Sequence, residues 1–254
     1  MSLAVQVPKA AQTHTYVHSL VPTFLHPTLR ATPNTLLSTL LLTTPTSLHR
    51  VLPLSPSTTH ALSSRTLLMT ILNATPDSFS DGGDNHSLAA GLASAQAHIA
   101  QGASILDIGG MSTRPGADPV TPAEEISRVV PLIAALRAAG ISTPISVDTF
   151  RPDVARAAVA AGATIINDVL GGSVPGMLAA MAELDVPVVL MHSRGGPEAM
   201  GGEMREYEDG DVVAGVRNEL GERVQQALDA GVKRWNTILD PGIGFAKTGE
   251  DNVV

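Results

Sequence analysis

Residues 144–168 read PISVDTFRPDVARAAVAAGATIIND. A short apolar run at 144–147 ends in Asp148, a helical pattern covers 151–161, and a second apolar run at 163–166 ends in Asn167 and Asp168. Near-continuous apolar strands joined through a helix imply parallel strands covered on both faces. The unit recurs on either side. Further apolar runs lie at 67–72, 104–108, 187–191 and 237–239, with helical patterns at 87–101, 121–139, 175–184 and 208–230. The 121–139 pattern carries Thr121 as N-cap, Pro122 at N1, Glu124 in capping-box position and Gly140 just past its end. In 208–230, Val212, Val216, Leu220, Val224 and Leu228 recur every four residues, predicting one buried stripe closed by Gly231.

What stands at the end of each run decides the fold class. Asn73 follows the first, Asp107 sits in the second, Asp148 follows the third and Asn167-Asp168 the fourth. His192 and Asp240 follow the fifth and sixth. A polar group at the carboxyl end of every strand suits a (β/α)8 barrel, whose site is assembled there from several loops. A doubly wound sheet gathers ligands chiefly at one switch point. No GxGxxG follows a first strand and no GxxxxGK[ST] occurs, so dinucleotide and P-loop readings have no support. Six strands fall short of eight, and two more units need roughly 60 residues. The expectation is an α/β fold, a TIM barrel incomplete at its carboxyl end.

Composition narrows the class further. The chain has 254 residues, no cysteine, and 16 Lys+Arg against 24 Asp+Glu, a net charge of −8. Disulfides and thiolate chemistry are excluded. An acidic balance argues against a nucleic-acid partner. Mean hydropathy is +0.18, yet no stretch approaches the roughly 20 apolar residues of a membrane span, so a soluble protein without a membrane partner is expected.

The charge is unevenly placed. Residues 1–76 contain Lys9, Arg30, Arg50 and Arg65 and no acid, whereas 77–254 hold the other 12 basic residues and all 24 acids. Between Ala31 and Thr66, 19 of 36 residues are Ser, Thr or Pro and nine are Leu, with no clear period. Residues 1–66 therefore read as an irregular arm or linker ahead of a barrel at 67–254. A basic, hydroxyl-rich, acid-free segment also fits a mitochondrial transit peptide, though no Arg-rich amphipathic helix is evident. The compartment is read as cytoplasmic or mitochondrial.

Six strings occur in order, one per strand end: ILNATPDSFSDGG (71–83), LDIGGMSTRPGA (106–117), ISVDTF (145–150), INDVLGG (166–172), VLMHSRGG (189–196) and LDPGIGFAK (239–247). Together they resemble the dihydropteroate synthases of the pterin-binding barrel family. That resemblance covers roughly 67–254 and implies a folate-pathway transferase. Its reaction joins 4-aminobenzoate to the diphosphate of 6-hydroxymethyl-7,8-dihydropterin and releases pyrophosphate. Residue by residue, it implies that Asn73 coordinates a Mg2+ borne by the leaving diphosphate. It implies that Asp148, Asn167 and Asp240 read the pterin edge, in keeping with the several donors an aminopyrimidinone presents to fixed carboxylates. Thr113 and Arg114 would help hold aminobenzoate and diphosphate, and Phe79 and Phe245 would contact the aminobenzoate ring. Met191 would pack under the pterin. Asp148 and Arg114 are the candidate catalytic groups. A homodimer is implied for the complete protein. His192 and Arg194 lie in the fifth motif, where a histidine reads as an oriented structural group.

Two departures stand out. Met111 occupies a position where the family often has a polar or acidic residue. The family's Ser-Arg-Lys and Arg-x-His motifs, which follow its seventh and eighth strands, have no counterpart before Val254, so this chain is expected not to be an active synthase. Upstream, the string at 18–27 (HSLVPTFLHP) and the leucine cluster at 35–40 resemble the tail of a hydroxymethyldihydropterin pyrophosphokinase, as in multifunctional folate proteins. Two other readings stay open: a pterin-binding methyltransferase domain, which has no use for TPDSFSDGG or STRPG, and a non-catalytic pterin-binding piece.

Overall fold

A computed structural model describes residues 51–55, 58–61, 66–74, 84–111, 120–195 and 206–252. The pyrophosphokinase-like strings at 18–40 lie outside these residues, as do Phe79, Thr113 and Arg114.

The expected β/α alternation is present. In chain order the barrel elements are β3 (Met69–Asn73), α1 (Asp84–Ala100), β4 (Ile105–Gly109), α2 (Pro122–Ala138), β5 (Ile145–Asp148) and α3 (Pro152–Ala161). They continue with β6 (Ile165–Asp168), α4 (Met177–Leu184), β7 (Val188–Met191), α5 (Val212–Asp229) and β8 (Thr237–Asp240). The six strands form one sheet in sequential order, every neighbouring pair parallel. This is six strands of a (β/α)8-type barrel wall, and among the described residues the wall is not closed.

Side-chain alternation sorts each strand into two faces. Leu72, Leu106, Ile108, Ile145, Val147, Ile166, Val188 and Leu190 point outward into one large core shared with the helices. Ile105, Ile165, Val189 and Ile238 point inward into a separate cluster. Being buried on both faces is what makes these strands read as unbroken apolar runs. On β8 the outward Leu239 is 46 % exposed, because no helix covers it among the described residues.

Three features differ from the sequence reading. Within the segment read as irregular, β1 (Val51–Ser55) and β2 (Thr58–Ala61) form an antiparallel hairpin with Val51 opposite Ala61. Its Leu54 is 3 % exposed and joins the inward cluster beside Leu67 and Ile238. The hairpin, ahead of residue 67, thus floors the barrel at the amino ends of its strands. Abundant Ser, Thr and Pro hid these strands in the sequence. Second, the stripe on α5 is only half covered. Val212 and Leu220 are buried, while Val216, Val224 and Leu228 are partly exposed. Third, Thr121 caps α2 by accepting the N–H of Glu124 at 3.2 Å, but the Glu124 carboxylate turns to Arg128 one turn on instead of completing a reciprocal box.

Candidate active site

The site is built by register. Asn73 pairs with Gly109, Gly109 with Asp148, and Asp148 with Asn167. Paired residues of parallel neighbours face the same way, so Asn73, Asp148 and Asn167 stand in one row at the carboxyl rim of the inner face. Gly109 keeps the middle of that row open. A methyl group there would lie 3.4 Å from the Asp148 carboxylate and 3.9 Å from the Asn73 amide oxygen. On the far side, Met191 pairs with Asp240, which brings both onto the same rim. The structure therefore assembles Asn73, Asp148, Asn167, Met191 and Asp240.

One further residue joins this group, which the sequence marks as the polar residue of its strand and the resemblance leaves without a role. Asp107 lies two positions below Gly109 on the same face, 4 % exposed, and accepts a hydrogen bond from Asn167 Nδ2 at 3.0 Å. Its signal was available: a carboxylate in the middle of the apolar string ILDIG. Next to it in register, Ser146 is fully buried and its hydroxyl makes no protein hydrogen bond.

Negative charge is concentrated here. Burial pushes the Asp148 carboxyl well above the usual carboxylate range, and repulsion from Asp107, Glu125 and Asp168 adds to this. Glu125 is itself raised by burial, opposed by the Thr149 hydroxyl and by Arg151, whose guanidinium donates to it at 2.7 Å. Asp168, on the opposite face of β6 from Asn167, turns to its own loop, accepting the N–H groups of Leu170 and Gly172, both at 2.8 Å. Asp240 Oδ1 likewise accepts the N–H of Gly242 at 2.8 Å. An inner rim of carboxylates and amides is complementary to a flat ligand edge rich in N–H donors. Beside it stands an apolar wall. Phe150, Val169, Leu170 and Met191 are buried together, with Met111 and Phe245 packed against them. Met111, the departure from the family pattern, is thus used as a packing group.

For a metal, the donors are few. Among the described residues no three His, Cys, Asp or Glu side chains are arranged to hold an ion. Asn73 offers one neutral oxygen at the exposed mouth. That suits Mg2+, which keeps several waters and is commonly held through substrate phosphates.

Fold and rim together define a ligand-binding β/α-barrel protein with its site at the carboxyl ends of the strands. The family of pterin binding enzymes matches residues 69–254, and the chain belongs to it. The chain is 54% identical over 185 residues to the folic acid synthesis protein fol1 of Schizosaccharomyces pombe, covering 72% of this chain and 25% of that protein. It is 50% identical over 190 residues to the dihydropteroate synthase of Bacillus subtilis, covering 74% and 63% respectively. Among solved structures, the dihydropteroate synthase of Xanthomonas albilineans with 4-aminobenzoic acid superposes with a TM-score of 0.65 at 49% identity. That match covers 73% of this chain and 64% of the other. The chain thus spans a quarter to just under two thirds of these relatives. No helix among the described residues is long and apolar enough to cross a membrane.

Proposed function

We propose that this chain carries the pterin-recognition half of a dihydropteroate synthase. The observation that supports it most is the inner-rim set Asp107, Asp148, Asn167 and Asp240, gathered from four strands of a pterin-binding barrel. In this reading the carboxylates accept the amino and ring N–H groups of a dihydropterin, and Met191 packs against its plane. The apolar wall that includes Phe245 takes the ring of 4-aminobenzoate, while Thr113, Arg114 and Phe79 come from the neighbouring loops.

The chemistry follows from charge. The pterin CH2–O bond breaks with its electron pair leaving on the diphosphate. The electron-rich dihydropterin spreads the resulting positive charge, and the neutral arylamine nitrogen donates its pair to that carbon and then releases a proton. Asp148 stands where a carboxylate opposes the developing cation, and desolvation makes that interaction stronger than in water. Arg114 would hold the departing anion. Mg2+, carried on the diphosphate and touched by Asn73, would supply further charge neutralisation. No protein nucleophile is required. We place the complete protein in the cytoplasm or mitochondrion, as a homodimer; a relative from Pisum sativum is named a mitochondrial bifunctional folate synthesis protein.

Calorimetric titration with 6-hydroxymethyl-7,8-dihydropterin tests the reading. Binding by the wild-type chain, weakened at least tenfold in Asp148→Asn, is expected from the ~1.5–3 kcal/mol of a hydrogen bond to a charged group. Equal affinities would remove Asp148 from the site. Mg2+ should bind only when pyrophosphate is present, and tight binding to the protein alone would refute the role of Asn73.

A further inference from the structure

Behind the rim, Lys247 is only 5 % exposed. Its ammonium lies 3.0 Å from each of three groups: His192 Nδ1, the Gly242 carbonyl and the Phe245 carbonyl. An ammonium has three donors and no acceptor, so each donor has one partner. His192 Nδ1 must therefore accept, which places the imidazole proton on Nε2, donating to Glu219 Oε2 at 2.9 Å. Glu219 also takes the Arg194 guanidinium, whose Nε is 3.1 Å from both carboxylate oxygens. Arg194 stacks 3.8 Å over the Tyr207 ring, and the Tyr207 hydroxyl donates to the Ala246 carbonyl at 3.0 Å. The circuit starts and ends on the loop after β8.

Charge states agree with this pattern. Burial, helped by Lys247, holds His192 below its ordinary value and therefore neutral. Hydrogen bonds from Arg194 hold Glu219 down and ionised. Burial lowers Lys247 to about 8, leaving it charged at neutral pH.

We propose that Lys247, His192 and Glu219 are positioning residues that lock the loop after β8 into the shape that presents Asp240 and Phe245 to the ligand. The role rests on the pterin reading above. That loop has little slack. Gly242 has φ +66°, and a Cβ on it would come within 2.1 Å of the His192 carbonyl, so the loop lies directly on the end of β7. Asp240 accepts the Gly242 N–H while Lys247 grips the Gly242 carbonyl, so one residue, through its two flanking peptide groups, ties the pterin-facing carboxylate to the circuit. Phe245 is tied through its carbonyl and packs against Met191 and its neighbours. With its three donors committed to protein acceptors, Lys247 acts through the loop. Without it, the Phe245 carbonyl and the His192 imidazole nitrogen lose a donor, and the Gly242 carbonyl keeps only the Phe245 N–H.

The test uses the 254-residue chain in two measurements. Titration with 6-hydroxymethyl-7,8-dihydropterin should give affinity weakened by about tenfold or more in Lys247→Met, as expected for loss of a charge-assisted hydrogen bond. The surface control Arg156→Ala should match wild type. Nitrogen-15 NMR of His192 should show the neutral Nε2–H form in wild type and a changed Nδ1 resonance in Lys247→Met. Glu219→Gln, which removes charge while keeping an amide oxygen, serves if Lys247→Met fails to fold; it should weaken pterin and shift the His192 resonances. A wild-type chain that binds no pterin overturns the pterin reading and the positioning role with it. Wild-type binding with unchanged affinity in the folded variants overturns the positioning role alone. A wild-type His192 carrying its proton on Nδ1 overturns the circuit.

Discussion

Asp168 is completely enclosed, yet it accepts two backbone N–H groups. Burial favours its protonated form and the hydrogen bonds favour its charged form; burial wins, and the group is raised from 3.8 to about 6. Between these values the native state holds a proton that the unfolded chain has lost. The resulting stability is present below about pH 4 and is lost as pH rises through 6. Asp168→Asn cannot titrate, so the pH dependence of its urea midpoint from 4.5 to 6.5 should flatten. It should also be less stable by about 1–3 kcal/mol, because its amide nitrogen would face one of the two N–H groups and leave it unpaired. An unchanged slope would show that Asp168 does not titrate in this range. At this scale the sequence shows where a polar residue interrupts an apolar strand, as at Asp107, Asp148, Asn167 and Asp240, but not that Asp107 accepts a hydrogen bond from Asn167. Lys247 gave no such signal, since its meaning depends on acceptors at 192, 242 and 245 that only the fold brings together.

The elements themselves were legible to within a few residues, because each has a local cause. Pro122 begins α2, Gly140 with φ +76° follows it, and Gly231 with φ +98° ends α5. Contacts between elements were not legible. Helix α2 presses on the exit of β4: a Cβ at Gly110 would lie 2.9 Å from Val129 Cγ1 and 3.2 Å from the Glu125 carbonyl. Arg128 donates to the Gly110 carbonyl at 2.8 Å, tying the helix to the strand exit. Gly110→Ala should therefore push helix and strand apart, costing about 1–3 kcal/mol as overpacking does. Thermal unfolding would register the loss, and a variant as stable as wild type would mean the helix moves freely at this contact. The half-covered stripe of α5 has the same origin. Periodicity tells which face of a helix is apolar, but neighbours decide how much of it is covered.

Across the whole molecule, the inner face is layered. Leu54, Leu67 and Ile105 lie at the bottom, Asp107 and Ser146 lie above them, and the row of Asn73, Asp148 and Asn167 forms the top. The hairpin supplies the bottom layer with Leu54, the part of the fold that composition concealed. Leu54→Ala should cost about 2–5 kcal/mol by removing a buried side chain, measured by denaturant unfolding. A loss under about half a kcal/mol would mean that the hairpin rests on the barrel without closing it.

That floor also says something about the order of events during folding. Leu54 is translated early, but its cluster is completed by Ile238, almost at the other end of the described chain. Closing so long a loop is entropically costly and gains little until the strands between are in place. The hairpin is then a late arrival that seals a barrel already standing. Its docking should be nearly absent from the transition state, so Leu54→Ala should hasten unfolding and leave the refolding rate almost untouched.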